Sequence, residues 1–321
     1  MTMPAPSSAR SSSHRSKAPG PTPDLRHPCV WPTWLIIGIA WLLARLPMAL
    51  LQRLGRALGS VLARLRVRRA RIARTNLKLC FPDKNDAALD ALTAECLRQL
   101  TVGTLELAVT WLRPSYDPRP HTEVIGAEHL EAALATGRGV ILVGGHFAVM
   151  DMVARPLAAF GSVDLIYRAN KDPAWEWIQV YGRQHYFDGI HERSDTRAII
   201  RALKAGRAIW YAADQDYGRK HSVFAPFFGV PAATITAAAR LARFNNSVVL
   251  MMSQHRHEHP LRWTLRFNAP VEPYPTGDDT ADATRLNALL ETEVLRAPAQ
   301  YLWVHKRFKT RPDGKADFYP R

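Results

Sequence analysis

The sequence predicts an α/β fold: a mixed, largely parallel sheet flanked by helices, with an N-terminal membrane-anchor helix. Three observations predict it. Beyond residue 115, short β-branched and aromatic runs alternate with longer helical ones. Runs such as "GVILVGG" (139–145) are apolar at every position, as strands covered on both faces must be. Ahead of them lies an uncharged stretch of nearly bilayer-spanning length.

Taken in order, residues 1–27 are rich in Ser, Pro and Arg and almost free of large apolar groups, which predicts a disordered basic tail. Residues 28–51 contain "WPTWLIIGIAWLLARLPMALL", where Trp31, Trp34 and Trp41 suit a lipid interface and Pro32, Arg45 and Pro47 shorten the clean apolar segment. A membrane anchor is expected here, with a buried helix or a signal peptide as the rivals. No small-x-small cleavage site ends the run, which counts against a signal. Residues 52–114 form a basic helical region in which Leu54, Leu58, Val61, Leu62 and Leu65 recur at helical spacing, suiting an interfacial helix or an ordinary amphipathic one. Basic residues are far denser after the apolar run than before it. By the positive-inside rule the bulk of the chain faces the cytoplasm.

Residues 115–321 are expected to make the α/β domain, with 52–321 as one globular unit. Strands are predicted at 139–145, "VDLIYR" (163–168), "AIWYAAD" (208–214) and "SVVLMMSQ" (247–254). Helices are predicted at "TRAIIRALKAG" (196–206), closed by Gly206, and at "PAATITAAARLARF" (231–244), opened by Pro231.

A net charge of +15 favours acidic partners, among them nucleic acid, an anionic membrane or an acidic carrier. Cys29, Cys80 and Cys96 are odd in number, far apart and lack C-x-x-C spacing, which suggests neither a disulfide framework nor a zinc knuckle and suits reduced thiols on the cytoplasmic side. His255, His257 and His259 share a face at period two, yet Pro260 follows them and no fourth ligand is near. A polar hairpin end is the better reading.

The chemistry is carried by "GGHFAVMD" (144–151). His146 stands where a strand ends, and two glycines ahead of it permit a sharp turn. A spacing of five on one regular helix would separate His146 and Asp151 by roughly 140°. They meet if His146 stays in the turn while Asp151 points back from the helix that follows. The carboxylate then holds one imidazole nitrogen and leaves the other as a general base. A capping histidine beside an unrelated aspartate fits the spacing equally. No G-x-S-x-G and no nearby cysteine offers an enzyme nucleophile, so a covalent acyl-enzyme is disfavoured.

H-x4-D after a Gly-rich turn resembles the signature of the lysophospholipid and glycerol-phosphate acyltransferase superfamily. Within it, the chain resembles the late acyltransferases of lipid A biosynthesis. The blocks carrying this are "RIARTNLKLCFP" (71–82), "GGHFAVMD", "YRANKDP" (167–173), "DQDYGRKHSVFAPFFGVPAAT" (214–234) and "QYLWVHKRFKTRPDG" (300–314). Asp151 is a departure, since many members carry glutamate there.

The resemblance implies transfer of a fatty acyl chain from acyl carrier protein, or coenzyme A, to a hydroxyl of a lipid A precursor, with no cofactor and no metal. His146 is then the base and Asp151 its partner. Arg168 stabilises the oxyanion or a lipid phosphate, or else pairs with Asp172. Asp214, Gln215 and Asp216 at another strand end position the acceptor, although two nearby acids also suit a metal. Gly218, Arg219 and Lys220 suit a phosphate, and Pro231 resembles the superfamily's late proline beside the acceptor site. Trp175 and Trp177 suit an acyl pocket or plain packing. The rival functions are acylation of a lysophospholipid, ornithine lipid or glycolipid, and, from another class, a membrane-tethered nucleic-acid binder using the arginine-rich 53–78 segment. No recognisable nucleic-acid module supports the last.

Overall fold

The computed structural model describes residues 25–312 and 316–319, so the tail expected over 1–27 lies almost wholly outside the described residues. Four helices come first: α1 (Trp31–Leu43), α2 (Met48–Arg64), α3 (Arg68–Cys80) and α4 (Asp86–Leu112). The expected single anchor helix over 28–51 is corrected here. Pro47 lacks an N–H and disfavours helix at the residue before it, so α1 stops at Leu43 and α2 starts at Met48. With 13 residues, α1 is about 20 Å long against a hydrocarbon core of about 30 Å. No described helix is long and apolar enough to cross a membrane.

Both helices pack on α4, but not by their greasiest sides. Glycines make the contact on α2: a Cβ at Gly59 would lie 2.5 Å from the Arg98 Cα, and one at Gly55 would lie 2.8 Å from the Val102 Cα. Such close approach leaves the leucine stripe outside. Leu58, Val61 and Leu65 are 45%, 49% and 68% exposed. On α1, Ile37 turns inward toward Trp111, Ala174 and Ile178, while Leu35, Ile36, Ile39 and Leu42 stay exposed.

The remaining elements are β1 (Thr122–Ile125), α5 (Ala127–Ala135), β2 (Val140–Gly144), α6 (Ala154–Ala158), β3 (Val163–Tyr167), α7 (Pro173–Arg183) and β4 (Gly189–Glu192). Then follow α8 (Thr196–Lys204), β5 (Ala208–Ala212), β6 (Ser222–Phe227), β7 (Val230–Ile235), α9 (Ala237–Asn245), β8 (Val248–Glu258), β9 (Leu261–Pro270) and α10 (Asp279–Arg296). Seven strands form one sheet in the order β1-β9-β8-β2-β5-β3-β4, parallel throughout except for the β8–β9 hairpin. The fold class read from the sequence is thus found, without the spanning helix.

Alternate residues of the central strands feed two cores. Val140, Leu142 and Trp210 pack toward α5 and α6, and Ile141, Val143 and Tyr211 toward α8, α9 and α10. This two-sided burial is why β2 carries no polar side chain. One buried ion pair, Arg256 to Glu106 at 2.6 Å, ties α4 to β8.

The helix expected over 231–244 is also corrected. Residues 230–235 are β7, paired antiparallel with β6 in a separate two-stranded ribbon with Pro231 opposite Pro226. Phe228 and Gly229, at φ 49° and 73°, make the turn between them, and the helix begins only at Ala237.

Candidate active site

Parallel pairing brings the site together. Gly144 at the end of β2 lies in register with Ala212 at the end of β5, so both strands deliver their following residues to the same edge of the sheet. From β2 the chain emerges as Gly145-His146, and from β5 as Ala213-Asp214-Gln215. A Cβ on Gly145 would sit 2.7 Å from the Leu290 side chain, so a larger residue there must displace that side chain.

The Asp214 carboxylate grips His146 twice. Its Oδ2 accepts the His146 backbone N–H at 2.9 Å, and its Oδ1 lies 2.5 Å from the ring Nδ1. On the other side of the ring, the Gln215 amide lies 3.3 Å from Nε2. Asp214 accepting at Nδ1 and an amide donor at Nε2 define the neutral tautomer with its proton on Nδ1. Burial alone would lower the pKa of His146, but the charge and hydrogen bond of Asp214 outweigh it and hold the ring above its ordinary value. Asp214 is buried too, a penalty overcome by its bonds to His146, which hold the carboxyl well below the usual carboxylate range.

The expected contact between His146 and Asp151 is not made. Asp151 sits in a short 3-10 turn, Met150–Val153, and its carboxylate faces Arg183 at the end of α7, with Oδ1 2.9 Å from Nε and Oδ2 3.2 Å from Nη2. The turn is too tight and too short to swing Asp151 back over the ring, and the neighbouring strand supplies Asp214 instead. Arg183 is 8% exposed and lies 5.2 Å over the Trp111 ring, and its positive charge acts on His146.

The other expected residues divide. Gln215 joins the cluster. Asp216 does not turn to the ring: it accepts from Gly218 N at 2.8 Å and from the backbone and hydroxyl of Thr310 at 2.6 and 2.8 Å, which fastens the C-terminal segment. Arg168 is exposed just past β3, with its carbonyl accepting from Gln179 at 3.3 Å, and no ion pair holds it to Asp172. Asp172 caps α7 and accepts from Thr33 at 2.6 Å. Gly218, at φ 83°, leads into the turn that carries exposed Lys220. Pro231 lies in β7, its carbonyl taken by Arg311 at 3.2 Å. Trp175 packs edge-on against Trp111 of α4, and Trp177 against Trp34 of α1 and Tyr181, where α7 meets these helices. Nε2 of His255 faces the Glu293 carbonyl and Nε2 of His257 faces Thr264. Among the described residues no group of His, Cys, Asp or Glu is placed to hold a metal ion.

Sequence reasoning missed Arg183 and the role of residues 300–305. Leu302 N donates to the His146 carbonyl at 2.9 Å and Ala148 N to the Gln300 carbonyl at 2.7 Å, so the C-terminal segment straps the turn in place. Asn76, Asp214, Gln215, Tyr301 and His305 line a narrow crevice beside the groups that hold the ring. Burial holds His305 neutral, at about 4. One signal for Arg183 was present: an arginine following Gly182 on a helix otherwise rich in aromatics.

A base with a fixed tautomer, a buried carboxylate behind it and an arginine close by suit proton abstraction from a hydroxyl. Comparison with known proteins gives the family. Residues 19–310 match the family described as "Bacterial lipid A biosynthesis acyltransferase". The chain is 36% identical over 296 residues to the lipid A biosynthesis lauroyltransferase of Escherichia coli (strain K12), covering 92% of this chain and 97% of that one. To the palmitoleoyltransferase of the same organism it is 37% identical over 297 residues, with the same coverage. To the myristoyltransferase it is 28% identical over 304 residues, covering 93% of each.

Proposed function

This chain belongs to the family of bacterial lipid A biosynthesis acyltransferases, and on that premise we propose that it moves a fatty acyl chain from an acyl carrier protein thioester to a hydroxyl of a lipid A precursor. The observation that carries the mechanism is the pairing of His146 with Asp214 across two adjacent strand ends. Nε2 of His146 takes the proton of the acceptor hydroxyl, displacing the Gln215 amide, as the oxygen attacks the thioester carbonyl. The new C–O bond gives a tetrahedral oxyanion; its collapse breaks the C–S bond, and the imidazolium returns the proton to the departing thiolate. Asp214 stabilises the imidazolium without taking its proton. Arg183, held at Nε and Nη2 by Asp151, keeps its other amino group for the oxyanion. Arg168 and Lys220 lie exposed beyond this edge and suit the phosphates of the acceptor.

The site works at a lipid surface in this reading. Among the described residues, ten of the thirteen exposed large hydrophobic side chains lie between Trp31 and Leu65. With Arg53, Arg64, Arg66 and Arg68 exposed among them, α1 and α2 suit lying in the plane of one leaflet, on the cytoplasmic side of the inner membrane.

The test is mass spectrometry of products formed from detergent-purified protein, acyl carrier protein loaded with mixed chain lengths, and a tetra-acylated lipid A precursor. A gain of one acyl chain, absent with His146→Ala, is the expected result. Transfer by a folded His146→Ala protein sinks the mechanism. Failure on this acceptor together with transfer to a lysophospholipid or ornithine lipid reassigns the substrate.

A further inference from the structure

Helices α8 and α9 lie side by side on one face of the sheet, and both present cations outward. On α8 these are Arg197, Arg201 and Lys204, spaced to share one face, and on α9 Arg240 and Arg243. Neither helix contains a carboxylate. Lys204 lies 5.6 Å over the Phe244 ring and joins the two rows. The acids at the margin are already engaged: Asp195 caps α8 through Ala198 N, Glu192 accepts from Ser194 N, and Asp279 meets Arg243 at 3.5 Å. Among the described residues, Arg197, Arg201, Lys204 and Arg240 enter no ion pair.

This face begins at the site. The helix α8 runs back from the sheet edge where β5 later delivers Asp214, and Tyr211, three residues before Asp214, feels the charges of Arg193, Arg240 and Asp214 alike. Arg197, Arg201, Lys204 and Arg240, with Arg243 partly offset by Asp279, raise the local concentration of an acidic partner and steer its approach. A bilayer fits less well, because the outward apolar surface surrounds α1 and α2 and only Phe244 is a large exposed hydrophobic on α8 or α9.

We infer that the α8–α9 face docks an acidic carrier protein bearing the acyl thioester, presenting its prosthetic arm to the His146 edge. The inference rests on the acyl-transfer reading of the site and adds where the donor sits. The test compares the full chain with an Arg197→Glu/Arg201→Glu/Arg240→Glu variant, on two donors carrying the same chain: acyl carrier protein and acyl-pantetheine. The expected result is a KM for the carrier raised tenfold or more, with acyl-pantetheine kinetics unchanged. Added salt should raise the wild-type carrier KM and leave the variant's flat. An unchanged carrier KM overturns the inference, as does equal damage with both donors. Loss of binding to phosphatidylglycerol vesicles with carrier KM intact also overturns it and gives the face to lipid. Should the reversals prevent folding, Arg→Gln at the same positions gives a smaller shift of the same sign. A wild-type protein that uses acyl-pantetheine but not the carrier refutes this docking alone; one that uses neither refutes the acyl-transfer reading itself.

Discussion

Asp151 and Arg183 face each other as a buried, two-pronged ion pair, 2.9 Å from Oδ1 to Nε and 3.2 Å from Oδ2 to Nη2, with side chains only 2% and 10% exposed. Removing one member leaves the other charge buried and uncompensated, which costs about 3–5 kcal/mol. Asp151→Ala is therefore expected to lower the free energy of unfolding by that order, and Asp151→Leu/Arg183→Met to recover most of it. Urea denaturation of the three proteins decides the point. An Asp151→Ala variant as stable as wild type would show that the pair contributes nothing to the fold.

Asp214, by contrast, acts through the ring of His146. In Asp214→Asn the shape stays and the charge goes, so turnover is expected to fall by about 10²–10⁴. Asp151→Asn should cost less turnover, because it leaves the Nδ1 partner of His146 in place. The pH dependence has a definite sign. His146 must be neutral to act as the base, and its pKa is raised, so kcat/KM falls as pH drops through that raised value. Asn in place of Asp removes the raising contribution and leaves burial, which moves the acid limb to lower pH. A limb that stays put, read from kcat/KM over pH 5–9, would show that Asp214 does not set the basicity of His146.

Stability follows from the same two shifts. The depressed Asp214 contributes stability that is present above its unfolded value near 3.9 and lost as pH falls through the folded one. The raised His146 contributes stability present below about 6.5 and lost as pH rises through its folded value. Their joint contribution is largest between about pH 4 and 6.5. Wild type minus Asp214→Asn in Tm should peak in that window, and a difference that is flat with pH would mean the pair is not coupled to folding.

What the sequence revealed and what it hid differ in range. The strands β2 and β5 were legible because each is a short apolar run with both faces covered, and β3 and the start of β8 because they carry β-branched and apolar runs, a pattern that local composition carries. The helix α8 was legible because Ala198, Ile199, Ala202 and Leu203 recur at helical spacing, with Gly206 just past its end at φ 74°. Strand order is not a local property. That β5 lies beside β2, which seats Asp214 on His146 across 68 residues, leaves no mark in either segment's periodicity. The pairing of Asp151 with Arg183 was hidden likewise, since a helix following β3 had to be folded back first. At 231–235 the local signal misled: Pro231 suits the first turn of a helix, but the Phe228-Gly229 turn converts it into the return strand of a ribbon. In α2 the periodicity was legible, but not which face packs: Gly55 and Gly59, rather than the leucines, meet α4 and leave the stripe outside.

Gly103 is where α4 crosses the turn that carries His146. A Cβ there would lie 2.0 Å from the Ala148 carbonyl oxygen, which is backbone and cannot step aside cheaply. Gly103→Ala must therefore push α4 off the 146–148 turn, an overpacking that costs about 1–3 kcal/mol. Because the displaced segment holds the base, turnover should drop further than the lost stability explains. Gly137→Ala is the control: nothing lies within 4 Å of its Cβ position, although its φ of 68° adds local strain. Equal turnover per folded molecule in the two variants would separate α4 from the positioning of His146.

The outward stripe of α2 gives the last test. Leu58, Val61 and Leu65 touch no core, so replacing all three with glutamate should leave the melting temperature nearly unchanged. In a lipid surface each leucine or valine buries apolar area worth about 1.5–3 kcal/mol when fully covered. Loss of three such side chains, with three negative charges set among Arg53, Arg64 and Arg68, should lower partitioning onto phosphatidylglycerol vesicles by a hundredfold or more. Flotation through a density gradient reads this directly. A triple variant that floats with the vesicles as well as wild type would mean that α1 alone holds the protein to lipid, and that α2 faces water with its leucines bare.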